Sequence, residues 1–282
     1  MKSRRLILLA GYNARGVVDA SLVHMVQQLS KYGDIILVMD NDADKSELDK
    51  ISPYVIWANA TRHCEYDFGS YRRAYTYARD TKILSQYDYV YMINDSVYGP
   101  LFSMDDTFEN LEKPDADALG LVWNPNTENP HIQSWFIGMR PCIFKSDWFD
   151  KFITSVVHQE KKGMVVHLYE HGFTQLVRQH NMNIHCIYTV HNRGVYNDIK
   201  KLFRAGMPFM KKCAFTRHNG RLGAQISYVL RHISPDIRDA ILSSARDSFG
   251  DKYLNWLLTR NPFKIMYRSI TYGIKKFCTG KL

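Results

Sequence analysis

Apolar residues along this chain fall into two alternating kinds of run. "RLILLAGY" (5–12) is short and continuous and reaches a glycine, the pattern of a strand buried on both faces. "VVDASLVHMVQQLSKYG" (17–33) spaces Val18, Leu22, Met25, Val26 and Leu29 by three and four, which predicts a helix closed by Gly33. "DIILVMDND" (34–42), "YVIWAN" (54–59) and "YDYVYMIND" (87–95) predict three more strands, with a helix over "SYRRAYTYARDTKIL" (70–84) that Ser70 would cap. Beyond Pro100, strands are expected at 116–124, within the aromatic-rich 131–144, and at "MNIHCIYTVHN". Helices are expected at 146–158, with Ser146 as cap, and at 168–181. After about residue 200 the chain reads as helical and basic.

Strands alternating with helices predict an α/β fold built on a parallel sheet. Ligands of such sheets bind at the carboxyl ends of the strands. Asp40-Asn41-Asp42, Asn59 and Asn94-Asp95-Ser96 all stand at such ends. Asp40, Asn41, Asn94, Asp95 and Ser96 are therefore candidate ligand contacts, with turn chemistry as the alternative reading.

The 282 residues are 45% hydrophobic, enough for a sizeable core in one large domain or a domain with an appendage. Charge is uneven. From Lys200 onward there are 17 Lys/Arg against 4 Asp/Glu, a net +13, while residues 1–199 carry 20 against 24, a net −4. The last third thus points to an anionic contact, nucleic acid or a membrane surface. The five cysteines are scattered with no CxxC pair, so neither a zinc knuckle nor a disulfide framework is indicated. The apolar run in "MKSRRLILLAGYN" is too short for a signal peptide, and no stretch approaches the roughly 18 apolar residues of a spanning helix. A cytoplasmic chain, soluble or peripheral to a membrane, is expected.

Neither GxGxxG nor GxxxxGK[ST] is present, and HExxH and GxSxG are also missing. Tyr66-Asp67-Phe68-Gly69-Ser70-Tyr71 is the nearest to an anion-binding helix start, with Gly69 letting backbone approach a ligand. Glu170, at the expected front of the 168–181 helix, is either an acid favoured by the helix dipole or a base for an acceptor hydroxyl. His167 and His171 are four apart on that helix. His191 and Asp95 are further candidate metal contacts.

"CEYDFGSY", "YMINDSVYGPL", "HIQSWF" and "LYEHGFTQLV", followed by "MPFMKK", resemble in order and spacing the rhamnan synthesis protein F family of bacterial glycosyltransferases. The resemblance covers roughly residues 5–220. It implies a GT-A-like (Rossmann-like), mainly parallel sheet flanked by helices, and transfer of a sugar from a nucleotide donor during assembly of a surface polysaccharide. By position, Tyr66, Asp67, Phe68 and Gly69 match the family's donor-side block, and Asn94, Asp95, Ser96, Gly99 and Pro100 its strand-end block. His131, Gln133 and Ser134 match its HxQS-type block, and Glu170 its acidic helix start. Two departures stand out: Asn59 is displaced from the tyrosine-aspartate block, and Asn94-Asp95-Ser96 has one acid where many GT-A enzymes have two.

The expectation is a catalytic domain over 1–200 and a basic helical extension over 201–282. The first would move a sugar, rhamnose-like or another hexose, from a nucleoside diphosphate donor to a hydroxyl of a lipid-linked glycan. Glu170 is the first choice of base and Asp67 the second. Asp40, Asn41, Tyr66, Gly69, Asn94, Asp95 and Ser96 face the donor. His131, Gln133 and Ser134 shape the acceptor side, and Mg²⁺ or Mn²⁺ is the cofactor in question. In "RNPFKIMYRSITYGIKKF", Asn261 caps a helix with Pro262 at its first position. Phe263, Met266, Tyr267, Ile270, Ile274 and Phe277 then line one stripe, with Lys264, Arg268, Lys275 and Lys276 around it. The stripe suits the inner face of a bacterial cytoplasmic membrane, or packing on the protein's own core. The alternatives are a nucleic-acid-binding protein and an inactive scaffold of the same fold. The first is disfavoured because the acids and amides gather in the net negative part, and no nucleic acid is expected as a partner.

Overall fold

The computed structural model describes residues 3–125, 128–216 and 221–279, without the side chains of 273 and 275–279. The chain divides into two compact units: Met1–Asp95 with Met104–Asn192, and Ser96–Ser103 with Arg193–Leu282. The second unit thus takes in a short segment that the sequence pattern groups with the first 200 residues.

In the first unit, β1 (Arg5–Gly11), β2 (Asp34–Met39), β3 (Trp57–Ala60) and β4 (Tyr89–Asn94) form a parallel set. β5 (Val97–Tyr98) follows β4 in the chain but belongs to the second unit. The sheet is extended by β6 (Ala118–Asn124), β7 (His131–Ile132), β8 (Phe136–Met139) and β9 (Ile184–Thr189). The order is β3-β2-β1-β4-β8-β6-β7, with β9 beside β6. β8 runs antiparallel to both β4 and β6, and β9 runs parallel to β6. The expected α/β fold, a mainly parallel sheet flanked by helices, is what the chain adopts.

β1 reads as an unbroken apolar run because both its faces are buried. Alternate residues Leu6, Leu8 and Ala10 share a core cluster with Phe68, Tyr71, Ala74, Tyr75 and Ala78 of the helix Tyr66–Asp80. Each fully buried large side chain of this kind contributes about 1.5–3 kcal/mol. At its amino end β1 carries a buried charge. Arg5 donates from Nε and Nη2 to the Glu112 carboxylate at 2.5 and 2.7 Å, and Tyr91 Oη donates to the same group at 2.8 Å. That cluster ties β1, β4 and the helix Asp105–Glu112 together.

Three local expectations change. The helix expected from Ser70 starts at Tyr66, because Asp40 Oδ1 accepts the backbone N–H groups of His63 and Cys64, at 2.8 Å each, and fixes the turn four residues earlier. Ser70 is buried in that helix and does not cap it. Residues 131–144 form two short strands and the helical turn Pro141–Phe144 instead of one strand. Glu170 is not at a helix front: Lys162–Val165, a π turn over Val166–His171, and Gly172–Gln179 run on as one helical path. No breaker separates these segments, and Gly172 keeps right-handed helical backbone.

The second unit pairs β5 with β10 (Met210–Lys211) antiparallel, and is otherwise helical, as its sequence predicts. Tyr98, Phe215, Leu222, Ile226, Leu254 and Leu257 belong to its core. Its last described helix, Pro262–Thr279, is capped by Asn261, whose Oδ1 accepts from Phe263 N at 3.0 Å and Lys264 N at 3.3 Å. Arg268, expected among the charges around the stripe, is buried and donates to the carbonyls of Trp256 and Leu257. The helix lies with that side inward. Its apolar stripe faces out: Phe263 is 75% exposed, and Met266, Tyr267, Ile270 and Ile274 are all more than half exposed. The side chains of Lys275, Lys276 and Phe277 lie outside the described ones.

Candidate functional site

The chain runs from β1 to β2 and β3 on one side, then returns to β4 on the other side of β1. The crevice beyond the carboxyl ends of β1 and β4 is therefore the topological switch point of the sheet, where open α/β folds bind ligands. Asn94 and Asp95 occupy it, and Asp95 N donates to Ala10 O at 3.0 Å to fix the strand end.

Four separated stretches meet here around Tyr71. Asn94 Nδ2 donates to Asp67 Oδ2 at 2.7 Å, and Tyr71 Oη donates to the carbonyl of Ser134 at 3.2 Å. Burial pushes the Tyr71 phenol well above its ordinary pKa. The Asp67, Asp95 and Glu170 carboxylates push it further up, against a hydrogen bond with Asn94. Tyr71 was not among the expected site residues, because it reads as a core aromatic. The available signal was its place four residues after Asp67 on one helix face.

Glu170 is reached from the other side. Its Oε2 accepts from Ser134 N at 3.0 Å and from Ser134 Oγ, and its Oε1 lies 3.2 Å from His131 Nε2. Burial would raise the Glu170 pKa, but the bonds from His131 and Ser134 outweigh it and hold the group below its ordinary value. His131 Nδ1 donates to Asn129 O at 2.6 Å. Burial disfavours the charged ring, yet Glu170 and Asn129 leave its pKa raised. Gln133 is buried and accepts from Trp135 Nε1 at 2.8 Å, so it holds the 131–136 turn. A π turn inside a helix frequently marks a functional site, and Glu170 lies on this one.

The other expected residues do different work. Asp40 is buried, and besides the two N–H groups it meets Arg62 Nη1 at 3.2 Å. Asn41 Oδ1 accepts from Asn13 N at 3.0 Å and shapes the loop after β1. Both support the loops at the strand ends. Tyr66 is exposed in the first turn of its helix. Gly69 answers to packing: a Cβ there would stand 2.3 Å from Glu65 Cβ and 2.9 Å from His63 Cε1. Ser96 belongs to the second unit, where its Oγ accepts from Lys211 Nζ at 2.9 Å. His191 is exposed. Among the described residues, one group of three His, Cys, Asp or Glu could hold a metal ion, formed by His131, Glu170 and His171, and neither Asp95 nor His191 is in it. Asn94, Asp67 and Asp95 nonetheless give the strand end an all-oxygen donor set, the kind that suits a hard cation such as Mg²⁺ or Mn²⁺. Tyr12, also missed, follows β1 as an exposed ring with the Arg62 guanidinium 5.4 Å from its centroid.

His63 makes the supporting loop sensitive to acid. Glu65 N donates to its Nδ1 at 3.2 Å, so its Nε2 carries the proton toward Ser70 Oγ at 3.0 Å. Burial and then Arg73 lower its pKa to about 4, against the pull of Asp40 and Glu65 and with a further push from Arg72. Its folded pKa is depressed, so the unfolded chain binds the extra proton first. Stability from this group is complete above about pH 6.5 and is lost as pH falls toward 4. His63→Gln is expected to remove about 2 kcal/mol of the stability difference between pH 7 and pH 5 in urea titrations. Equal pH dependence in both proteins would rule the group out.

Comparison with known proteins gives the following. A family model described as rhamnan synthesis protein F matches residues 35–275. The uncharacterized protein y4gN of Sinorhizobium fredii is 21% identical over 170 residues, 59% of this chain and 44% of that protein, so the chain spans less than half the length of this relative. Similar solved structures include a candidate nucleotide-diphospho-sugar transferase from Desulfovibrio desulfuricans G20, 14% identical with a TM-score of 0.40 over 90% of this chain and 99% of that one. Residues 1–349 of S. aureus TarS are 11% identical, with a TM-score of 0.43 over 95% of this chain and 78% of that one. Core-mannan synthase A of Aspergillus fumigatus, in its Mn/GDP form, is 9% identical, with a TM-score of 0.34 over 66% and 73%.

Proposed function

This chain belongs to the rhamnan synthesis protein F family, and from that premise we propose that it transfers a sugar, rhamnose-like or another hexose, from a nucleoside diphosphate donor to a hydroxyl of a lipid-linked surface glycan. The observation that carries this reading is the convergence around Tyr71. Asp67, Asn94 with Asp95, Ser134 and Glu170 come from four distant segments and meet at the switch point of the sheet. A core without function has no use for three carboxylates around one buried phenol.

The reaction is single displacement with inversion. The acceptor hydroxyl attacks the anomeric carbon, the bond to the diphosphate oxygen breaks, and the hydroxyl proton passes to a carboxylate. Asp67 is the base in this reading. Glu170 is the weaker candidate because Ser134 N and Oγ already donate to one of its oxygens and His131 Nε2 stands 3.2 Å from the other. Asn94 and Asp95 face the donor, and the exposed Tyr12 ring offers its base a stacking surface. Asp95 would hold a Mg²⁺ or Mn²⁺ ion brought by the diphosphate, which would neutralise the leaving group. His131, Gln133 and Ser134 shape the acceptor side.

Thermal unfolding with a panel of nucleotide sugars, with and without Mg²⁺ or Mn²⁺, tests the donor. At a hundred times its Kd the correct donor stabilises by about 2.7 kcal/mol, a shift of roughly 5 °C. No shift with any uridine, guanosine or thymidine diphosphate sugar would sink the reading.

The outward stripe of the helix Pro262–Thr279 supports an interfacial position on an anionic membrane, where a lipid-linked acceptor is presented. None of the described helices is long and apolar enough to cross a membrane. Lys264 is exposed beside the stripe and complements an anionic surface, at about 1 kcal/mol per basic residue. Met266→Glu with Ile270→Glu is expected to weaken binding to phosphatidylglycerol vesicles at least tenfold, since each side chain buries about 1.5–3 kcal/mol of apolar surface. Unchanged co-sedimentation would leave the stripe to another role.

A further inference from the structure

The three groups His131, Glu170 and His171 form a second polar centre whose chemistry differs from the all-oxygen strand end. One ligand atom from each lies within 4.8 Å of the other two. Their protonation is constrained by what surrounds them. His131 Nδ1 faces the carbonyl of Asn129 at 2.6 Å and must carry its proton there. Its Nε2 then has only a lone pair, yet it lies 3.2 Å from Glu170 Oε1, which is itself an acceptor. Two acceptors at that distance need a cation between them, either a second proton or a metal ion. Beside them the His171 ring lies with its centroid 4.4 Å from that of His131, and its Nδ1 is buried without a hydrogen-bond partner. A proton on His131 would satisfy Glu170 and leave His171 orphaned. A metal ion can take a ligand atom from each of the three.

We propose that His131, Glu170 and His171 bind a divalent transition metal ion, zinc in the first place. Two imidazoles and a carboxylate are a donor set that suits zinc better than the hard, all-oxygen cations. The outer contacts of such a site are already in place. Asn129 O fixes the tautomer of His131, and Ser134 N and Oγ hold Glu170 Oε2, leaving Oε1 for the metal. Four-coordinate zinc places its ligand atoms about 3.3 Å apart, so a modest rotation of His171 completes the geometry. The π turn contributes as well. It spreads more residues over each turn than an α-helix, so the consecutive residues 170 and 171 diverge less and can serve one centre. Three protein ligands leave a fourth position for water or a ligand oxygen. The ion would tie β7 to the π turn across 39 residues of sequence, from His131 to Glu170. This inference does not rest on the transferase reading, and its test reads the metal alone.

The experiment is titration of the purified full-length protein, stripped with chelator, with Co²⁺ as a spectroscopic probe and then Zn²⁺. One equivalent of Co²⁺ is expected to give visible d–d absorption of a four- or five-coordinate nitrogen–oxygen site, which Zn²⁺ bleaches. His171→Ala is expected to weaken Co²⁺ binding at least a hundredfold, and Ser134→Ala about tenfold, as outer contacts do. Glu170→Gln serves as an independent ligand variant, and circular dichroism of each stripped variant establishes that it is folded. Absence of absorption at millimolar Co²⁺ in the folded wild-type protein overturns the site, as does equal affinity in folded His171→Ala and Glu170→Gln. Mg²⁺-dependent donor binding measured in the same preparations reports on the strand end independently.

Discussion

Asp67→Asn is expected to lower the turnover of sugar transfer by a factor of about 10² to 10⁴ while leaving donor affinity within a few fold. That range is what removal of a positioned general base costs. The substitution keeps the shape, and the amide oxygen that replaces the carboxylate can still accept from Asn94 Nδ2, which now meets Asp67 at 2.7 Å. The loss would therefore be in proton acceptance and would appear in kcat. Glu170→Gln measured beside it separates the two carboxylates, because Glu170 is reached by Ser134 and His131 and not by Asn94. Wild-type turnover in a folded Asp67→Asn protein would return the base to Glu170.

The largest expected loss of stability lies far from that crevice, at Glu112. Glu112→Ala removes the partner of a guanidinium that is only 8% exposed, and leaves the Tyr91 hydroxyl without its acceptor. Arg5 keeps a 3.2 Å contact to the carbonyl of Tyr32 and its place over the Phe108 ring, neither of which neutralises it. Breaking a buried pair by removing one member costs about 3–5 kcal/mol, because an uncompensated charge is left in a medium of low polarity. Urea unfolding should show that loss. The double replacement Arg5→Met with Glu112→Leu should lose much less, since it removes both charges. A single variant within about 1 kcal/mol of wild type would show that water reaches the guanidinium.

Continuous apolar runs made the parallel half of the sheet legible, because β1, β2 and β4 are covered on both faces and carry no competing period. Asn94 and Asp95 could be placed at a strand end for the same reason. What stayed hidden depended on partners distant in sequence. The start of the helix at Tyr66 is set by Asp40, more than twenty residues earlier, and no local capping pattern announces it. The path through Glu170 contains a π turn, whose hydrogen bonding leaves no signature in hydrophobic spacing. The pairing of His131 with Glu170 and the burial of Tyr71 arise only when the strands close on the helices. Arg268 shows a limit of another kind. Periodicity located the apolar stripe of its helix correctly, but it cannot say which face turns inward.

The segment Ser96–Ser103 gives the chain a temporal problem. Tyr98 pairs with Met210, 112 positions later, so β5 leaves the ribosome long before its partner exists. At about 5–20 residues per second the delay is roughly 6–22 s. Throughout it, Tyr98 and Leu101, both buried in the finished protein, have none of the second unit's helices to cover them. An uncovered strand is a template for pairing with other chains. The same geometry governs dissection: a fragment ending at residue 199 retains β5 and loses β10, so the first unit is not obtained by trimming the carboxyl end alone.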